Sequence, residues 1–92
     1  MSNVDVARIL NLTVENIEKR VLHALVRDEL RRVRAEKASI LRRHGLKDLD
    51  ELWRRIEDGT IDDTVAHDDI VKLDYLEYKE RELEKILRDL EK

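Results

Sequence analysis

The chain of 92 residues is 45% charged and 41% hydrophobic, with a net charge of −3 and no cysteine. That limits it to one small domain and excludes a disulfide framework or a thiolate metal site. No apolar run reaches the roughly 20 residues of a membrane span, and residues 1–5 lack the basic and apolar regions of a signal peptide, so a cytoplasmic protein with no membrane partner is expected.

Residues 4–10 are an apolar-rich stretch that predicts a short helix within 1–12. Asn11, Leu12 and Thr13 interrupt it: Asn tolerates the left-handed conformation of a turn, and Thr13 is a good N-cap. From there Val14, Ile17, Val21, Leu22, Leu25, Val26, Leu30, Val33, Ile40 and Leu41 follow steps of three and four. They predict a long basic amphipathic helix over 13–44, roughly 45 Å in length. Gly45 supplies its stop, with Arg42, Arg43 and His44 placed to complement the helix dipole.

Asp48 and Glu51 form a capping-box-like pair that opens a short helix over 48–58. Leu49, Leu52, Trp53 and Ile56 make its apolar face, and Gly59 ends it. Trp53 is expected to plug the end of a helical hairpin. After an acidic loop, a long acidic helix is predicted over 64–91. Ile70, Leu73, Leu76, Leu83, Leu87 and Leu90 take near-heptad steps along it. Glu80 occupies a position where this seam expects an apolar residue, as a register device or as a point where the seam opens.

The predicted fold is all-α: two long antiparallel amphipathic helices joined by a short one, in a single domain. Val26, Val33, Tyr75, Tyr78 and Ile86 widen the apolar stripes beyond one partner's reach. Dimerisation to a helical bundle is therefore expected, or a complex with another protein. The residues expected at such an interface are Leu22, Leu25, Val33, Ile40, Trp53, Leu73, Leu76, Leu83 and Leu87. Charge is divided between the halves. Residues 1–46 hold ten basic and six acidic side chains, a charge of +4, and residues 47–92 hold nine and sixteen, a charge of −7. These halves attract each other within one chain or between two, unless both faces are simply solvated.

Enzyme signatures fail one by one. A di-iron bundle needs Glu-x-x-His pairs, but the residues three before His23, His44 and His67 are Arg20, Leu41 and Thr64. Glu15 and Glu18 supply the Glu-x-x-Glu half of a helical nucleotide pyrophosphatase, without the later Glu-x-x-Asp. Ser2 and Ser39 have neither a nearby histidine nor a glycine elbow. A protein without catalytic residues, cofactor, metal or small-molecule substrate is expected. Asp63, His67, Asp68 and Asp69 read as an acidic helix start that suits the dipole rather than as a metal site. The basic residues over 27–43 suit phosphate contact or pairing with the acidic helix, and Asp28, Glu29 and Glu36 dilute their field. Abundant Glu, Lys and Arg, with Asn only at positions 3, 11 and 16 and no Gln, is a pattern of hot-growing organisms.

Two stretches carry resemblances. Val6-Ala7, Leu10-Asn11-Leu12-Thr13 and Asn16-Ile17, within residues 5–27, resemble the helix-turn-helix of sigma-factor region 4 and LuxR-type regulators. That resemblance implies a DNA-reading helix with Val14, Asn16, Lys19 and Arg20 as candidate DNA contacts. Glu15 and Glu18 on the same turn depart from it, because they repel phosphates. Residues 33–90 resemble small helical proteins of prokaryotic, often archaeal, toxin–antitoxin modules. The matching positions are Arg43-His44-Gly45-Leu46, Leu52-Trp53, Asp68-Asp69 and Lys72-Leu73-Asp74. His44 stands in place of an aromatic residue there, and Leu73 in place of Trp. This second resemblance implies an antitoxin that covers a toxin's active surface. The function expected is a non-enzymatic protein–protein interaction module. The alternatives are a small helix-turn-helix DNA-binding regulator and a purely structural coiled-coil protein.

Overall fold

The computed structural model describes residues 3–9 and 13–92. Helix α1 spans Asn3–Ile9, α2 Val14–Arg43, α3 Leu49–Glu57 and α4 Asp63–Leu90, and no strand occurs among the described residues. Of the expected turn at Asn11, Leu12 and Thr13, the first two lie outside the described residues. The fold is all-α, with α2 and α4 packed against each other. Contacts pair early residues of α2 with late residues of α4, from His44–Asp69 at one end to His23–Glu91 at the other, so the pair is antiparallel. The molecule is elongated, 64 × 23 × 18 Å.

Local chemistry sets the helix ends. Thr13 Oγ1 accepts the Asn16 N–H at 3.1 Å and caps α2. At the other end Gly45 adopts φ 70°. Its N–H donates to the Arg42 carbonyl, and the Leu46 N–H reaches back to the Leu41 carbonyl, both at 3.0 Å. These two bonds form the Schellman motif, which satisfies carbonyls the helix leaves open and turns Leu46 into the core. Asp48 Oδ1 accepts the Glu51 N–H at 2.8 Å, while Glu51 Oε2 accepts the Lys47 N–H at 3.1 Å. Helix α4 starts at Asp63, ahead of the expected Thr64. The reason is Asp62, whose Oδ1 accepts the Thr64 N–H at 2.8 Å and makes it the N-cap.

The core sits at the closed end of the hairpin, where α3 folds across α2 and α4. Val33, Ile40, Leu41, Leu46, Leu52, Leu73 and Leu76 are buried there together, with Leu49, Ile56, Ile61, Ile70 and Leu83 packed around them. Trp53 does not plug this end. It is 43% exposed, whereas Leu52 is 0% exposed and fills that place. Adjacent helical residues point about 100° apart, and the three- and four-residue steps of Leu49, Leu52 and Ile56 turn that line inward and leave Trp53 at the rim. Trp53 lines a shallow cleft of about 460 Å³ with Ile56, Asp63, Thr64, His67 and Ile70.

One polar layer interrupts the seam. Lys37 lies between Val33 and Ile40 on α2, and its Nζ donates to Glu77 Oε1 at 2.8 Å and to Glu80 Oε1 at 2.7 Å. Glu80 Oε2 also accepts from Arg34 Nε at 3.0 Å. The misplaced acid of α4 thus meets a misplaced base of α2, and the seam stays closed.

Candidate interaction surface

The opposite charges of the two halves pair within one chain. Burial works against the charge of Lys37, but hydrogen bonds to Glu77 and Glu80 outweigh it and raise its pKa above the ordinary value. Burial likewise pushes the Glu80 carboxyl up, and the bonds from Lys37 and Arg34 more than reverse this, leaving its pKa lowered. Asp69 takes His44 Nε2 at 2.8 Å and Arg43 at 3.4 Å. Among the described residues no group of three or more His, Asp or Glu side chains is placed to hold a metal ion.

The two flanks of the hairpin differ. On one flank Arg34 reaches Glu80 and Glu84. Beyond it Arg27, Arg31 and Arg88 line an open groove of about 540 Å³ with Leu30 and Leu87. On the other flank Glu36 meets Lys72 and Glu29 meets Lys79, each at 2.7 Å. The hydrogen bond and charge of Lys79 lower the Glu29 pKa, and the hydrogen bond to Glu29 raises that of Lys79. These two ion pairs are rungs of a ladder in which each helix advances by seven residues. A further step of seven leads from Glu29 back to Leu22 and from Lys79 on to Ile86. The ladder's third rung is therefore apolar, and both members are open to solvent, Leu22 at 50% and Ile86 at 45%.

Past this rung α2 continues alone. Helix α4 ends at Leu90, and its cap residue Glu91 accepts through Oε1 from His23 Nε2 at 3.0 Å. Residues 14–21 therefore extend beyond α4. Val14, Ile17, Val21 and Leu25 follow helical steps along this arm, on a stripe roughly 140° around α2 from the seam of Leu30, Val33 and Ile40. Val14, Val21 and Leu25 are exposed, Leu25 at 61%, and Ile17 is half-buried. Ile17, Val21 and Leu22 line an apolar hollow with Glu18. Val4, Val6 and Ile9 of α1 are exposed as well.

The residues expected at an interface thus fall into two sets. Val33, Ile40, Leu73 and Leu76 are buried within the hairpin, and Leu83 and Leu87 are partly covered by it. Leu22, Leu25 and Trp53 are exposed, the first two at the open end and Trp53 at the closed end. Of the candidate DNA contacts, Val14, Asn16, Lys19 and Arg20 are all exposed. Two features escaped sequence reasoning. Lys37 belongs to the seam, which its three-residue steps from Arg34 and to Ile40 disclose only once the Glu80 partner is known. Arg88 joins Arg27 and Arg31 across the groove, and no spacing within one helix reports that.

Residues 1–92 match the model of the uncharacterized protein MJ0235 family, and the chain belongs to that family. No curated protein and no solved structure matches it.

Proposed function

We propose that this member of the MJ0235 family is a non-enzymatic protein–protein interaction module that docks through the open end of its hairpin. The observation that carries this reading is the apolar arm. Val14 and Val21 stand in solvent beyond the end of α4, and Leu22 and Leu25 are exposed beside its last turn; contiguous apolar patches on small proteins mark interaction sites. The chain's own core is small, and chains of this size commonly gain stability from a partner. An antitoxin-like role, as implied by the pattern over 33–90, is one form of this function, with the acidic face of α4 steering a basic partner.

The test is a photo-reactive amino acid placed at Leu25 in one variant and at Arg42, exposed at the closed end, in another. Irradiation in the cell should give covalent protein adducts, of any identity, from position 25 and not from position 42. Absence of any adduct at position 25 overturns the reading.

Lys19 and Arg20 support a second reading, DNA binding, because both are exposed and neither forms an ion pair among the described side chains. Fluorescence anisotropy on a duplex from the gene's own upstream region tests it. Binding that falls steeply with salt and is lost in Lys19→Glu supports a DNA regulator; flat anisotropy removes it.

A further inference from the structure

We infer that the occupant of the apolar arm is a second copy of this chain, joined open end to open end with the two α2 arms antiparallel. This rests on the interaction reading above and names its partner. Three observations carry it.

Among the described residues no side chain before Leu30 in α2 or after Leu76 in α4 is buried, so the open half of the hairpin lacks a dry core. A twofold pairing covers the same patch on both copies at once, and so completes two deficient open ends with one interface. A single partner of another kind would leave the choice of surface to that partner.

Charge fits a self-pair. Residues 1–25 hold three acidic and three basic side chains, so two arms meet without net repulsion and without the bias toward a strongly charged partner. Orientation follows from the rest of the chain. Parallel arms would lay two acidic α4 helices side by side. Antiparallel arms send them to opposite ends, well beyond the ~10 Å range of charge at ordinary salt, and also oppose the helix dipoles.

The stripe itself reads nearly the same in both directions. Its steps are three, four and four, so an antiparallel partner sets Val14 against Leu25 of the second copy and Ile17 against Val21. Leu22 and Ile86, the apolar third rung, then border the second arm on the flank it crosses.

The absence of cysteine makes the test clean. Val14→Cys and Leu25→Cys are made as separate full-length proteins and oxidised alone and mixed. Antiparallel pairing predicts that the mixture cross-links at least tenfold faster than either protein alone. Faster cross-linking within each single variant means parallel arms and overturns the proposal. Light scattering on the unmodified chain should give twice 11.0 kDa, and a monomer at roughly 100 µM protein overturns it. The paired variant Leu22→Glu with Ile86→Lys extends the ladder of Glu36–Lys72 and Glu29–Lys79 by a third ion pair, so it keeps the hairpin and sets charge along the border of the stripe. Its expected result is undiminished helix by circular dichroism with loss of the dimer; a dimer of unchanged affinity contradicts the inference. Failure of self-pairing is distinguishable from failure of the interaction reading. Adducts to other proteins at position 25 with a monomeric chain defeat only the former, whereas no adducts at all defeat both.

Discussion

Lys37 Nζ stands 2.7 Å from Glu80 Oε1 in the middle of the α2–α4 seam, with Val33 and Ile40 on either side of the lysine and Leu76 and Leu83 on either side of the glutamate. A charged pair in such a place holds register more than it holds the fold. It is fully satisfied only when Lys37 faces both Glu77 and Glu80, while the flanking apolar side chains tolerate a shift.

Removing one member should therefore cost more than removing both. Glu80→Leu leaves Lys37 with Glu77 alone and strands Arg34 from one of its two partners. A loss of about 1–2 kcal/mol is expected, below the fully buried case because both side chains retain some solvent contact. Lys37→Leu with Glu80→Leu should recover most of that loss. Urea denaturation of the two variants beside the unmodified chain measures the difference. Equal losses for single and paired variants would show that the layer acts by general burial alone.

The same layer sets a pH dependence. Glu80 is held below its ordinary 4.5, so its contribution is fully present above pH 4.5 and fades as pH falls through the lowered value. Lys37 is held above its ordinary 10.5, so its contribution is fully present below pH 10.5 and fades as pH rises through the raised value. Thermal melts across pH should show a plateau between these limits and a fall on each side. In Glu80→Gln the acid-side fall should shrink; an unchanged fall would assign it to other carboxylates.

Leu52 and Trp53 are neighbours with unequal consequences. Leu52→Ala opens a cavity in the closed-end core and should cost about 2–5 kcal/mol. Trp53→Ala removes a larger side chain from the rim and should cost well under that. A melting temperature lowered more by the tryptophan substitution than by the leucine one would reverse the assignment of the core plug.

Gly45 turns the chain out of α2 at φ 70°. A Cβ there would meet nothing within 4 Å, so Gly45→Ala reads the backbone alone. A loss of about 1 kcal/mol is expected from the left-handed conformation. Gly45→Asn should lose less, because Asn visits that region more readily. Equilibrium denaturation of both decides the order.

The all-α hairpin was legible in the sequence because each helix carries its own signals. Thr13, Asp48 and Gly45 stop or start helices through bonds to neighbours three or four residues away, and such bonds are written locally. Trp53 was misread because composition favours a buried tryptophan, while the phase of a nine-residue helix is decided by Leu49, Leu52 and Ile56 together. The oddity of Glu80 was visible, but its explanation was not: Lys37 looks like one more basic residue until α4 lies against it. The apolar third rung was hidden for a related reason. Leu22 and Ile86 each read as one residue in a wide stripe, and only the spacing of two ion pairs between helices marks them as partners.

The gathering of the core at the closed end also dictates an order of assembly. Asp69 and His44 are 25 residues apart in sequence, and His23 and Glu91 are 68 apart. Closing the longer loop directly costs about 1 kcal/mol more in chain entropy, with less apolar burial to offset it. The hairpin should zip from Gly45 outward, its transition state built around Ile40, Leu52 and Leu73, and should unzip from Leu22 and Ile86 first. In the separated monomer, amide hydrogens near the open end would then exchange by fraying, with opening free energies well below the global stability, while those of the closed end wait for the whole chain to unfold.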